Sequence, residues 1–138
     1  MDDELIRCFE AGDVPAGGFH HEQHVRVAWN YVSRYPLPEA LERFRSGLKR
    51  FALARDKPGL YHETITVAYV LLINERVDRA AAREWDLFAA QNLDLLQWKP
   101  SILDRYYTPE RLWSDAARHT FVEPDRDKLT ERHSLTAE

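Results

Sequence analysis

Four histidines and one glutamate are the residues of this chain best placed to do chemistry. His21 and His24 stand three apart, His20 is a rival i, i+4 partner for His24, and His62 is followed directly by Glu63. Side chains at i and i+3 or i+4 are neighbours on one helix face, so His21 and His24 can point at one ion. Neutral imidazole suits zinc, iron, copper or nickel. Two histidines from one helix, His62 from another and the Glu63 carboxylate make a set of three or four ligands with room for water or substrate. The first reading is therefore a divalent transition-metal site (zinc, iron, nickel or copper) at His21, His24, His62 and Glu63. In it His62 and Glu63 are the catalytic pair, with Glu63 as ligand, orienting partner or base.

Two other readings use the same residues. One is a metal-free enzyme or small-molecule-binding protein. Histidine titrates near neutrality and suits general acid–base work, here in a pocket lined by Trp29, Tyr31, Tyr69 and Tyr106. The other is a dimerising scaffold without chemistry. Glu63 then only complements a helix dipole, and the aromatics are core. Sharper motifs fail. HHEQH brings its second histidine one residue too early for HExxH, and HETIT has Thr66 where that histidine belongs. No glutamate has a histidine three residues later, against a ferritin-like di-iron site. There is no GxSxG elbow, no phosphate-binding glycine pattern, and no signature around the single cysteine, Cys8.

Such groups need elements to hold them. The stretch Tyr61 to Val77, YHETITVAYVLLINERV, is polar in its first turn and then apolar on nearly every side. A helix apolar all round belongs in the middle of a domain. His62 and Glu63 therefore stand at the start of a central helix. His21 and His24 stand at the start of another, about 20 to 35, whose inward stripe is Val25, Ala28, Trp29 and Val32, with Pro36 as its stop. A first helix runs from Asp2 or Asp3 to Ala11, with Leu5, Ile6 and Phe9 inward and Gly12 ending it. A third starts at Pro38 and reaches about Arg55, with Leu41, Phe44, Leu48, Phe51 and Ala52 buried. A fifth covers Arg79 to Leu96, with Ala82, Trp85, Phe88, Ala89, Leu93 and Leu96 inward. Ser101 to Tyr107 reads as a short helix. Thr108-Pro109-Glu110 opens another that reaches Trp113 and resumes after Ser114 to His119. The segment after Phe121 is polar and extended; with 104–110 it forms either a lid over the bundle end or a structural clasp, in which Tyr106 or Tyr107 packs on the helices and its hydroxyl bonds a carbonyl or carboxylate.

The expected architecture is all-α: a compact bundle of four to five main helices with short C-terminal helices and an extended tail. Residues 1–125 make one domain and 126–138 a polar, mobile tail. A net charge of −4 gives no electrostatic reason to expect nucleic acid. The longest apolar run, Val67 to Ile73, is far short of a membrane span, and the acidic N-terminus lacks a signal core. One cysteine excludes an internal disulfide. The expectation is a cytoplasmic protein, monomer or homodimer, with a small-molecule ligand.

Four segments together resemble a family of small, uncharacterised bacterial all-helical proteins. They are Phe19-x-His21-x-x-His24-Val25-x-x-Ala28-Trp29, Tyr61-His62-Glu63-Thr64-x-Thr66, Tyr106-Tyr107-x-Pro109-Glu110 and Phe121-Val122-Glu123-Pro124-Asp125. The resemblance covers about residues 19 to 125. It implies no activity. It does imply which polar residues belong to the pattern: His21, His24, His62, Glu63, Thr64, Tyr106, Tyr107 and Glu123. His20, His119 and His133 fall outside it.

Overall fold

The computed structural model describes residues 2–77 and 84–128. Among them there are eight α-helices and no strand. They are α1 (Asp3–Ala11), α2 (His21–Arg34), α3 (Leu37–Ala54), α4 (Glu63–Arg76), α5 (Trp85–Gln91), α6 (Leu93–Leu96), α7 (Pro109–Leu112) and α8 (Asp115–His119). Two short 3-10 turns, Pro58–Leu60 and Ile102–Arg105, join them. The protein is all-α, as its sequence predicts. No helix among the described residues is long and apolar enough to cross a membrane.

Local signals place the main helices. Gly12 ends α1 with φ 79°, a left-handed conformation that glycine adopts without strain. Tyr35 and Pro36 stop α2, and Pro38 sits in the first turn of α3, where its missing N–H costs nothing. The α4 helix is buried at Val67 to Val70, Leu72 and Ile73 and packs against α2, α3 and α8. The α2 helix packs against α1, α3, α4 and α6. These two helices carry the candidate residues at their starts.

Two packing details depart from the expected stripes. On α3 the buried positions are Ala40, Phe44, Gly47 and Ala52, while Leu41, Leu48 and Phe51 are only partly covered. Gly47 is a slot for Phe9. A Cβ there would lie 2.1 Å from Phe9 Cε2, and that ring is itself fully buried against Phe19, Tyr31 and Phe44. A mid-helix glycine costs about 1 kcal/mol against alanine, so this one is retained for the close approach. Gly47→Ala is expected to destabilise the fold by about 2 kcal/mol, because overpacking outweighs the gain in helix propensity. A urea-denaturation midpoint at or above the parent's would show instead that Phe9 has somewhere to go.

The second departure is the fifth helix. Its described part is broken at Asn92 (φ −138°, ψ 49°) into α5 and α6. Residues 78–83, including the expected inward Ala82, lie outside the described residues. At the break, Asn92 Nδ2 donates to the Phe88 carbonyl, an i−4 back-bond that competes with the helix ladder. Arg76 at the end of α4 then clamps Asn92 Oδ1 at 3.1 Å and the Asp94 carboxylate at 2.7 and 3.0 Å. The break resets the phase. Leu93, expected inward, is 66% exposed, and Leu95 is fully buried in its place.

Candidate functional site: two helix starts and a tryptophan-walled cleft

His62 is the N-cap of α4. Its Nδ1 accepts the Ile65 N–H at 3.1 Å, and its Nε2–H donates to the Leu112 carbonyl at 2.8 Å. Both ring nitrogens are thus engaged, and the tautomer is settled by the carbonyl, which can only accept. The ring is buried and meets Trp113 edge-on at 5.3 Å. Burial holds its pKa below the ordinary histidine value, the Leu112 bond working against that and the Arg118 charge with it. Thr66 Oγ1 donates to the His62 carbonyl and completes the turn.

Glu63 turns to different partners. Its carboxylate takes Arg45 Nη2 at 2.8 Å and Nε at 3.1 Å, from α3, and the Tyr61 hydroxyl at 2.5 Å. Burial pushes the carboxyl up, but the Arg45 and Tyr61 hydrogen bonds outweigh it and leave the pKa below the usual range. This is a charge-assisted fork tying α3 to α4.

His21 and His24 share the start of α2. His21 Nε2–H donates to the Leu95 carbonyl at 2.9 Å, fastening α2 to α6. Its ring lies against Tyr69 at 5.0 Å and Trp98 at 4.9 Å. His24 stands edge-on to Phe19 at 4.3 Å. Burial lowers both pKa values, His24 down to about 4 with the neighbouring imidazoles adding to the effect.

The four groups read as a ligand set are therefore not gathered at one point. Among the described residues no group of three or more His, Cys, Asp or Glu side chains is placed to hold a metal ion. The physical reason lies in the partners. Leu112 and Ile65 occupy His62, Arg45 and Tyr61 occupy Glu63, and Leu95 fixes His21 towards α6. His62 and Glu63, adjacent in the chain, share no hydrogen-bond partner.

The remaining patterned residues form the clasp. Thr64, fully buried, donates from Oγ1 to the Thr120 carbonyl at 2.9 Å and accepts the Val122 N–H at 3.1 Å. Tyr107 OH donates to the Val122 carbonyl at 2.7 Å. Asp125 takes both the Thr108 N–H and its hydroxyl, at 2.9 and 2.6 Å, and Arg111 Nε donates to the Glu123 carbonyl. Main-chain bonds continue as far as Arg126 and Asp127, onto Tyr106 and Arg105, past the expected domain boundary at residue 125. Most of the tail expected to be mobile, 129–138, lies outside the described residues. Thr64→Val keeps shape and loses the hydroxyl, so about 1–2 kcal/mol of stability should go with it. Faster amide hydrogen exchange at Val122 would locate the loss at the clasp, and an unchanged exchange rate would refute it.

A cleft of about 220 Å³ opens beside this clasp, lined by Trp98, Lys99, Pro100, Ser101, Leu103, Asp104, Leu112 and Trp113. Trp98 is 37% and Trp113 50% exposed. Each packs on one of the predicted histidines, Trp98 on His21 and Trp113 on His62. Ser101 Oγ on its wall shares a 2.9 Å hydrogen bond with the Tyr69 hydroxyl. Burial pushes the Tyr69 hydroxyl up to about 12, with the Asp104 charge adding to it. The two helix starts thus meet the same cleft at one remove, each through a tryptophan.

None of the four aromatics expected to line a pocket lines this cleft. Trp29 packs on Trp85 and Phe88, Tyr31 on Phe9, Tyr69 on His21 and Trp98, and Tyr106 is buried. The two tryptophans that line it, Trp98 and Trp113, fall outside the helical stripes. Trp98 precedes Lys99-Pro100, and Trp113 follows the last residue of α7. Large aromatics at helix breaks, rather than at core spacing, were the available signal. Comparison with protein-family models, with curated proteins and with solved structures gives no match.

Proposed function

We propose that the chain is a metal-free, small-molecule-binding protein whose ligand occupies the cleft between Trp98 and Trp113. The observation that carries this reading is the pair of part-exposed tryptophans on one concave wall. Aromatic side chains contribute large apolar area with a polar handle, and leaving two of them open to water at a cavity forgoes burial that a ligand would restore. His21 and His62 stand one ring away from the ligand. Their part is to hold Trp98 and Trp113, with His21 Nε2 already engaged by Leu95 and both His62 nitrogens by Leu112 and Ile65.

The test uses all four tryptophans. With 5-fluorotryptophan incorporated, a library of small aromatic acids, amines and amino acids is screened by fluorine NMR. A cleft ligand should shift the Trp98 and Trp113 resonances and leave Trp29 and Trp85, both buried away from the cleft, in place. A library that moves neither cleft tryptophan at millimolar concentration would remove the reading.

A further inference from the structure

The cleft carries two opposite charges that are spent on nothing else among the described residues. Lys99 and Asp104 both line it and both are exposed. Neither takes part in an ion pair or a side-chain hydrogen bond among the described residues. By contrast Arg26, Arg45 and Arg76 are all paired, with Asp2, Glu42 and Glu63, and Asp94. Lys99 and Asp104 do not neutralise each other either, although they share one small wall. Between them in the chain stands Ser101, whose hydroxyl bonds Tyr69 and the Leu103 N–H. The apolar part of the wall is Trp98, Trp113, Leu103, Leu112 and Pro100.

Resting on the cleft reading above, we propose that the ligand is a zwitterion of the α-amino-acid class with an aromatic or large apolar side chain. Its carboxylate faces Lys99, its ammonium faces Asp104, and its side chain lies on the tryptophans. The charge pattern argues this. A purely anionic ligand would be repelled by Asp104, and a purely cationic one by Lys99. A ligand carrying both charges a few bonds apart satisfies the two together. Size agrees: 220 Å³ holds roughly seven water volumes, enough for an amino acid and too little for a folded peptide segment. Ion pairs at an open cleft are modest, so affinity should be low and dominated by the aromatic contact, with the charges deciding specificity.

The experiment compares three probes on the full, fluorotryptophan-labelled chain: L-phenylalanine, 3-phenylpropionate without the ammonium, and phenethylamine without the carboxylate. L-Phenylalanine should shift Trp98 and Trp113 saturably, and each truncated probe should bind about fivefold more weakly, the upper range for one exposed ion pair. Lys99→Met should weaken L-phenylalanine and leave phenethylamine no weaker. Asp104→Asn should weaken L-phenylalanine and leave 3-phenylpropionate no weaker. Both positions are exposed, so near-ultraviolet circular dichroism should be unchanged. A truncated probe that binds as well as L-phenylalanine, or charge variants without effect, overturns the zwitterion while the cleft reading stands. Silence from all three probes also overturns it, and the wider library then decides whether the cleft binds anything at all.

Discussion

His62→Ala should cost about 3 kcal/mol of folding stability, the largest effect expected from any single replacement discussed. Two losses combine. Removing an N-cap acceptor costs about 1 kcal/mol, here the Nδ1 that holds the Ile65 N–H. Removing the Nε2–H strands the carbonyl of buried Leu112, and an unpaired buried polar group costs about 1–3 kcal/mol. His62→Asn separates the two, since its amide oxygen can still cap α4 but its short side chain cannot reach Leu112; it should recover about 1 kcal/mol. Urea denaturation of the three proteins gives the comparison. The ring also supports Trp113, so the alanine variant should blur the Trp113 fluorine resonance and spare that of Trp85, which packs with Trp29 and Phe88. Equal stability of parent and His62→Ala would mean that the ring is held for a function rather than for the fold.

Helix existence and order were legible because their signals are local: Pro36 and Pro38 around the α2–α3 junction, Gly12 at the end of α1, the all-round apolar run of α4. What a polar side chain binds is not local. His62 reads as a ligand because it gathers with Glu63 at a helix start, as His21 and His24 do; that its second nitrogen meets Leu112, fifty positions away, is a tertiary fact. Thr64 and Glu63 are parallel cases, with partners on the C-terminal clasp and on α3. The same holds for Gly47, whose need for an absent side chain comes from Phe9 on another helix. Asn92 is the intermediate case. Its back-bond to Phe88 is local, but the Arg76 clamp that makes the break hold is not. The candidate residues stand at two helix starts, as their sequence predicts, but the polar groups there turn to partners of their own.

The buried His62 and the half-buried His21 and His24 make a second large effect expected, an acid-labile fold. In the unfolded chain a histidine takes up its proton near pH 6.5. In the folded chain His24 does so only near 4, chiefly because burial penalises the charged ring. A depressed histidine pKa favours the folded state only while the ring is neutral. The stabilisation is therefore complete above about pH 6.5 and is lost as the pH falls from there to about 4, where the folded protein is itself protonated. A gap of this size amounts to about 3 kcal/mol from His24 alone. His21 and His62, also lowered by burial, add to it with the same sign. Their routes differ. A protonated His62 can no longer accept the Ile65 N–H, whereas a protonated His21 keeps its donation to Leu95 and loses only solvation. Carboxylates enter lower down. Burial raises Asp2 and Glu63, but Arg26 with Asn30, and Arg45 with Tyr61, outweigh it; Asp94 is lowered first by Arg76. Their contribution is present above the usual carboxylate range and disappears below it. Urea denaturation at half-unit steps should show stability falling through pH 6 and 5, above the range where these lowered carboxylates contribute to the slope. Each histidine contributes a slope of at most about 1.4 kcal/mol per pH unit. His24→Gln, which carries no titrating proton, should flatten that slope by one such contribution while leaving the loss below pH 4 in place. An unaltered slope would mean that the His24 ring is solvated in the fold and that Phe19 does not shield it.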